Sequence, residues 1–155
     1  MTHHIDIQIA CEQRLPVSEK QLTDWVNVVL EEHQEAAELT VRIVETEEIT
    51  ELNKLYRKKD MPTNVLAFPS ELPDTIELEY PLLGDVIVCP AVLEKESIEQ
   101  KKSLEAHWAH IVMHGVLHLL GYDHIEEKDA HVMEAMEIKL LAQFGIADPY
   151  LLEGE

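Results

Sequence analysis

Histidine is the residue type whose spacing in this chain points most clearly to chemistry. His114, His118 and His124 occur in the run HGVLHLLGYDH, with Gly121 between the second and the third. Two residues four apart share one face of a helix, so the first two imidazoles can reach one ion. A glycine can adopt the positive φ that turns a chain sharply and brings His124 back toward them. Three neutral nitrogen ligands suit one tetrahedral zinc ion and leave a position for water, as in catalytic zinc sites.

The same histidine spacing occurs in the metzincin proteases, which carry a glutamate general base at the second position of the motif. That position is Gly115 here. A peptidase mechanism of this kind lacks its usual base at this position, so the comparison favours a metal site and argues against proteolysis. Two further histidines, His107 and His110, share the helix face. We expect them to pack, to orient the ligands or to contact substrate rather than to bind the metal.

A second feature is a cluster of positive charge, KLYRKK, which contains Lys54, Arg57, Lys58 and Lys59. The negative end of a helix dipole attracts cations and explains the lysines without any further function. A phosphate-binding site is the second interpretation, because the guanidinium of Arg57 can bind two phosphate oxygens at once. On this interpretation Arg57 is a candidate catalytic residue, and Lys58 and Lys59 are candidate substrate-binding residues. Both interpretations remain open at this point.

The total charge sets a limit on what the basic cluster can bind. The 155 residues include 31 acidic and 12 basic side chains, a formal charge of −19. Such a surface repels polyphosphates and anionic membranes at long range, which argues at first against both as partners. Salt screens charges beyond ~8 Å, however, so a phosphate beside the cluster and a metal ion responds mainly to those neighbours. The charge therefore predicts weak, salt-sensitive binding of nucleic acid and no binding to membranes.

Apolar periodicity predicts the elements that position these residues. Alternating or short apolar runs predict strands at residues 4–11, 39–44, 65–68 and 82–89, the third of them a short or edge strand. Apolar residues three and four apart predict five helices, with Ser18, Thr46 and Ser103 as N-caps of the first, second and fourth, Pro90 in the first turn of the third, and Glu127 near the start of the fifth. The last turn of the second helix is expected to carry Lys54, Arg57, Lys58 and Lys59. Gly121 is expected to end the fourth helix, and the acidic segment 70–80 to form a solvated loop. This order predicts an α/β (α+β) fold with a small mixed sheet packed by helices and a zincin-like three-histidine site on a long helix and the following turn.

Length and composition indicate one domain over residues 1–155, because this length with 46% hydrophobic residues allows one core. Cys11 and Cys89 lie far apart in mostly apolar surroundings, which predicts free thiols in a reducing compartment. The first residues have no basic segment followed by an apolar one, and no stretch of eighteen apolar residues occurs. We therefore expect a cytoplasmic protein.

Four sequence segments together resemble the YbeY family, metal-dependent endoribonucleases of rRNA maturation. The most specific are YRKKDMPTNVLAFP at 56–69 and HGVLHLLGYDH at 114–124, and LLGD at 82–85 and AHWAH at 106–110 are also similar. The segments occur in the family's order, and the similarity extends over nearly the whole chain.

The resemblance implies a single-domain α/β protein in which His114, His118 and His124 hold one zinc ion and Arg57 is important for RNA cleavage. It further implies cleavage of single-stranded RNA at the 3′ end of small-subunit rRNA, and a role in ribosome quality control. The partners it implies are the small ribosomal subunit and a ribosomal protein or an assembly GTPase. Neither DNA nor a membrane is expected as a partner.

In the mechanism that we expect, zinc polarises a phosphoryl oxygen or lowers the pKa of bound water toward ~7, and Arg57 neutralises charge in the transition state. The sequence does not decide which group acts as the general base. The candidates are metal-held hydroxide, Asp123, His110 and the RNA 2′-hydroxyl with an unassigned partner. Two other functions remain as alternatives. One is a zinc metallopeptidase of zincin type with a base from elsewhere. The other is a non-catalytic assembly factor in which a fully coordinated zinc stabilises the helix turn.

Overall fold

The computed structural model describes residues 3–33, 36–70, 82–123 and 125–150. The strands are β1 (His3–Ala10), β2 (Ala37–Val44), β3 (Val65–Pro69) and β4 (Leu82–Val88). The helices are α1 (Glu19–Glu32), α2 (Thr46–Arg57), α3 (Pro90–Glu99), α4 (Leu104–Leu119) and α5 (Glu127–Ala142). All nine elements were predicted from the sequence, with ends that differ by a few residues.

The four strands form one sheet in the order β1-β2-β4-β3. β1, β2 and β4 are parallel, and β3 pairs antiparallel with β4 at the edge. α1 makes the crossover between β1 and β2, as parallel neighbours require. The predicted mixed sheet, its short edge strand and the α+β fold class are therefore confirmed.

Both faces of the sheet are covered by helices. On one face, inward residues of the strands such as Val41 and Val86 pack against α1, α3, α4 and α5 in the larger hydrophobic cluster. On the other face, Ile49 of α2 packs with Val44, Leu66 and Ile87. α4 lies in the centre and contacts α1, α3, α5, β3 and β4. Within the described parts of the chain, no helix is long and apolar enough to cross a bilayer.

Hydrogen bonds at the helix starts confirm most of the predicted caps. The Ser18 hydroxyl accepts from the backbone N–H of Gln21, whose side chain accepts from the Ser18 N–H, a complete capping box. The Ser103 hydroxyl accepts from the N–H of Ala106, and Pro90 is the first residue of α3. The prediction that Thr46 caps α2 was wrong, because Thr46 is already helical. Glu45 precedes the helix, and its carboxylate accepts instead from the N–H of Glu12 at 2.8 Å.

The end of α2 also differs from the prediction, which placed Lys58 and Lys59 in the last helical turn. The helix ends at Arg57, and Lys58 adopts the left-handed conformation with φ 60° and ψ 31°. The N–H groups of Lys58 and Lys59 still bond the last helical carbonyls, those of Lys54 and Asn53. The dipole explanation therefore applies to Lys54 and Arg57, while the next two lysines lie on the turn beyond. The predicted loop at 70–80 falls, apart from its first residue, outside the described residues.

Candidate active site

Helix α4 carries the four predicted histidines in one row. The ring centroids of His107 and His110 are 6.4 Å apart, those of His110 and His114 6.2 Å, and those of His114 and His118 4.5 Å. The row follows from the steps of three, four and four residues along a helix of 3.6 residues per turn. The last two rings are close enough to act on one ligand.

The Nε2 atoms of His114 and His118 face each other at 3.0 Å. The Nδ1 atom of each ring meets an acceptor: a carboxylate oxygen of Glu137 at 3.1 Å from His114, and the backbone carbonyl of Tyr122 at 3.0 Å from His118. Each neutral ring therefore carries its hydrogen on Nδ1 and directs a lone pair from Nε2 at the other ring. Two lone pairs at this distance require positive charge between or beside them. Two zinc-bound nitrogens in a tetrahedron are roughly 3.3 Å apart, so the pair fits that ion.

The end of α4 places the chain for a third ligand. Gly121 has φ 101°, its N–H bonds the carbonyl of His118 at 3.0 Å, and the N–H of Tyr122 bonds the carbonyl of Leu117 at 3.0 Å. These are the two bonds of a Schellman motif, so the prediction that Gly121 ends this helix is confirmed. The third predicted ligand, His124, lies outside the described residues. Its role stays a prediction.

Glu137 on α5 is the buried acid of the site, with a side chain that is 1% exposed. One carboxylate oxygen accepts from Nε2 of His110 at 2.7 Å and from Nδ1 of His114 at 3.1 Å, and the other accepts from the Tyr150 hydroxyl at 2.6 Å. Burial by itself raises the pKa of Glu137, but these hydrogen bonds outweigh it and lower the pKa to about 2. Glu137 is therefore ionised and holds the His114 ring in one orientation and one tautomer.

His110, His114 and Glu137 each place one ligand atom within 4.8 Å of the others, so this trio could also hold a metal ion. The separations of 2.7 and 3.1 Å to the Glu137 oxygen are, however, hydrogen-bond lengths already bridged by imidazole N–H groups. We interpret the trio as the support of His114, in the way that carboxylates usually support zinc-binding histidines. In this interpretation His110 helps to orient the ligands through Glu137, which is one of the roles expected for it and stays a prediction.

His118 is supported by a second chain of hydrogen bonds, which reaches α1. The Tyr122 carbonyl accepts from His118, and the Tyr122 hydroxyl lies 2.6 Å from Nε2 of His33. Nδ1 of His33 donates to the Val29 carbonyl at 2.7 Å, so its Nε2 is the acceptor for the Tyr122 hydroxyl. The turn after α4 is thereby attached to the end of α1. No motif or spacing in the sequence indicated a role for His33.

A cleft of about 650 Å³ opens beside the two facing imidazoles. His114, His118 and Arg57 all line it, with Asn64 and the residues of β3 completing its walls. Among the described residues, no carboxylate pairs with Arg57, whose side chain is exposed and can meet a ligand. Lys58 and Lys59 do not line the cleft. The structure thus brings Arg57 into the same cleft as the histidines, whereas the two lysines lie outside its lining.

Gly115 explains why a glutamate base is missing from the helix. A Cβ on this residue would lie 2.7 Å from a methyl group of Val86 and 3.2 Å from one of Val65. The position therefore faces β3 and β4, and α4 can approach the sheet this closely only with glycine. A glutamate here would collide with the sheet instead of serving the cleft.

One wall of the cleft rests on a partly buried polar network, in which His107 is the buried member. The amide nitrogen of Asn64 donates to Glu96 on α3 at 3.2 Å, and Nε2 of His107 lies 3.0 Å from the same carboxylate. Burial lowers the pKa of His107, and the bond to Glu96 offsets part of that effect. His107 thus holds the wall through Glu96 and does not touch the cleft, in agreement with the packing role that was among those expected.

The sequence and the fold of this chain are similar to those of known proteins. The model of the family described as "Endoribonuclease YbeY" matches residues 8–145. The chain belongs to the YbeY endoribonuclease family. Proteins named "Endoribonuclease YbeY" from the Corby, Lens and Paris strains of Legionella pneumophila are each 58% identical to it over 153 residues, which are 99% of this chain and 97% of theirs. The solution structure of a Thermotoga maritima protein matches with a TM-score of 0.59 and 26% identity, over 96% of this chain and 99% of that one.

The resemblance to the YbeY family read from the sequence is thus confirmed, but the sequence analysis missed residues that support the site, among them Glu137, Tyr122 and His33. Glu137 is the one with a detectable signal, because it shares the buried face of α5 with Met133 and Leu140. A charged residue on an apolar helix face indicates a buried, partnered group. The other two, Tyr122 and His33, gave no signal, since their contact joins residues 89 positions apart.

Proposed function

We propose that this YbeY-family chain is a zinc-dependent endoribonuclease that cleaves single-stranded RNA in the cleft beside α4. The observation that supports this proposal most directly is that Arg57, His114 and His118 line one cavity, with the Nε2 atoms of the two histidines facing each other. An anion-binding side chain and a cation-binding pair in one cleft suit a phosphodiester, which needs its charge neutralised from two sides. Membership of an endoribonuclease family agrees with an RNA substrate.

In this proposal His114, His118 and His124 hold one zinc ion, which when bound supplies a Lewis acid for a phosphoryl oxygen. Glu137 and the Tyr122 carbonyl keep the first two rings in the tautomer that has a lone pair on Nε2. Arg57 binds the other phosphoryl oxygens and stabilises the charge that develops as the bond breaks. Lys58 and Lys59 contact neighbouring phosphates at the mouth of the cleft.

His110 is a poor candidate for the general base. Its side chain is 10% exposed, its Nε2 is bonded to Glu137, and it does not line the cleft. Asp123 is exposed and uses one carboxylate oxygen to accept from the N–H of Ile125 at 3.2 Å. The product ends identify the nucleophile: a 2′,3′-cyclic phosphate means attack by the RNA 2′-hydroxyl, and a 3′-hydroxyl means attack by water.

We further propose that the substrate is the 3′ end of small-subunit rRNA and that the protein acts in rRNA maturation and ribosome quality control, as a single cytoplasmic domain over residues 1–155. The charge of −19 supports this choice, because bare RNA is repelled and a partner that delivers it is favoured. The small subunit, with a ribosomal protein or an assembly GTPase, is that partner. Neither DNA nor a membrane is part of the proposal.

The proposal is tested by incubating zinc-loaded protein with an unstructured RNA and with casein. Wild type should cut the RNA internally and leave casein intact, while Arg57→Ala and His114→Ala should each lower RNA cleavage by two or more orders of magnitude. Arg14→Ala is the matched control for the lost arginine, since Arg14 is exposed and lies outside the cleft. His131→Ala is the control for the lost histidine, since that side chain is 76% exposed on α5.

Other results would point elsewhere. Equal RNA cleavage by all five proteins would mean a contaminating nuclease and contradict the assignment. Cleavage of casein alone would support the zincin peptidase, which Gly115 argues against. Binding of rRNA and small subunits without any cleavage, with or without the ribosomal partner, would support the assembly factor.

A further inference from the structure

Tyr56, next to Arg57 at the end of α2, presents an aromatic surface beside the cleft. The residue is 63% exposed although it is large and apolar. Its ring contacts Phe68 of β3 with centroids 4.9 Å apart and planes tilted by 55°. Phe68 is only partly exposed and packs against the smaller hydrophobic cluster. The partly buried ring of Phe68 therefore supports the exposed ring of Tyr56, and the outer surface of Tyr56 stays open to solvent.

The same two rings separate the cleft from a neighbouring cavity. Tyr56 and Phe68 line both the 650 Å³ cleft with Arg57 and a second cavity of about 560 Å³ on the other side of them. The second cavity has an apolar floor that includes Leu52 and Ile87. A chain of nucleotides whose phosphate meets Arg57 therefore has an aromatic ring and an apolar cavity directly beside that phosphate.

Charge decides which part of a nucleotide enters each cavity. The second cavity is also lined by Asp85, Glu48 and Arg42. Arg42 is bonded to Glu48 at 2.7 Å, so its charge is neutralised and Asp85 leaves the rim negative. A phosphate is repelled there, whereas an uncharged base is accepted. The cleft has the opposite character, since it offers the exposed guanidinium of Arg57, which forms no ion pair with the residues that the structure describes.

We propose that Tyr56, supported by Phe68, is a stacking site for a nucleobase next to the scissile phosphate. The inference rests on the proposed function. It supplies a physical reason why the enzyme would select single-stranded over double-stranded RNA. A base in a duplex is stacked between its neighbours and cannot lie against Tyr56, whereas an unpaired base can be turned out onto an aromatic ring. Stacking does not depend on which base is present, so the site selects single strands without selecting a sequence.

A binding experiment isolates the stacking contribution. A fluorescently labelled, unstructured RNA of eight nucleotides is compared with an abasic chain of the same length, in chelator and at low salt so that no cleavage occurs. Wild type should bind the base-containing RNA between roughly 5-fold and 150-fold more tightly than the abasic chain. Tyr56→Leu should lower this preference at least 5-fold and leave binding of the abasic chain unchanged. Tyr56→Phe, which keeps an aromatic ring, should retain the preference.

The control variant is Leu55→Ser, which removes a neighbouring side chain that is 71% exposed and does not line either cavity. It should leave both affinities unchanged. An unchanged preference in Tyr56→Leu would overturn the inference, and so would an equal loss for the two chains, because Tyr56 would then act through the shape of the cleft. The measurement requires no cleavage, so failure of the nuclease proposal appears separately, as intact RNA in the zinc-loaded assay.

Discussion

Glu137 on α5 accepts a hydrogen bond from Nδ1 of His114 on α4 at 3.1 Å, and its side chain is almost completely buried. The carboxylate also accepts from His110 and Tyr150, so all its neighbours are donors. The contact joins the last helix of the fold to a proposed metal ligand. The hydrogen bond fixes the His114 ring before any ion binds, so less free energy is spent on orienting the ring when an ion binds.

Glu137→Gln should therefore weaken zinc binding by roughly 10-fold to 100-fold. A glutamine has one acceptor oxygen and an NH₂ group, and the NH₂ group would face donors that the carboxylate now satisfies. Competition with a chromogenic chelator measures the affinity. Glu127→Gln is the control, because that side chain is 93% exposed on the same helix. Equal affinities of Glu137→Gln and wild type would show that the ring needs no such support.

Tyr122→Phe should lower the free energy of unfolding by about 1 kcal/mol and weaken zinc binding several-fold. The variant removes only the hydroxyl, which lies 2.6 Å from Nε2 of His33. Without this bond the turn is held less firmly, and with it the Tyr122 carbonyl that orients His118. His33→Leu removes the same bond from the other side. Denaturant titration of both variants and of the double variant should show effects that do not add, whereas additive losses would contradict a shared hydrogen bond.

Gly115→Ala should destabilise the protein by about 1–3 kcal/mol, even though alanine is the better helix former. The reason is the approach of 2.7 Å between the added Cβ and Val86. Urea denaturation measures the change. Adding Val86→Ala makes room for the methyl group, so the double variant should lose less than the sum of the two single losses. A Gly115→Ala protein more stable than wild type would mean that α4 does not lie this close to the sheet.

His107 should make stability depend on pH in the mildly acidic range. Its pKa is lowered in the folded protein from an unfolded value of about 6.5, so the folded state binds protons less readily. The free energy of unfolding is therefore highest above pH 6.5, where His107 is neutral in both states. It decreases as the pH falls and the unfolded state takes up the proton first, with a slope of at most about 1.4 kcal/mol per pH unit. Unfolding measured between pH 7.5 and 5 should show a smaller slope in His107→Gln. Identical slopes would exclude this histidine as the source.

Local sequence patterns were sufficient to predict the helices and strands and part of the candidate site. The caps at Ser18 and Ser103 and the glycine turn at Gly121 depend on a few neighbouring residues, so the sequence shows them directly. The pairing of His114 with His118 is equally local, because one helical turn separates them. The predicted cap at Thr46 was wrong because the helix starts one residue earlier, and Glu45, at the N-cap position, accepts from the N–H of Glu12, which is 33 residues away.

The parts that could not be predicted are those in which distant segments meet. Arg57 and the histidines share a cleft only because β3 brings the segment after α2 alongside α4. The same packing leaves Lys58 and Lys59 outside, which their place in the basic cluster could not show. The contact of Tyr56 with Phe68 also depends on how the edge strand turns back toward α2.

The order of the supporting residues along the chain has a consequence for truncated chains. The sheet and α4 precede Glu137 and Tyr150, which complete the hydrogen bonds around His114. A chain that ends before α5 keeps His114 and His118 but loses the carboxylate that orients the first of these rings. It also loses Met133, Leu140 and Leu141 from the larger hydrophobic cluster, so removal of this helix takes away part of the core and the support of a proposed metal ligand together.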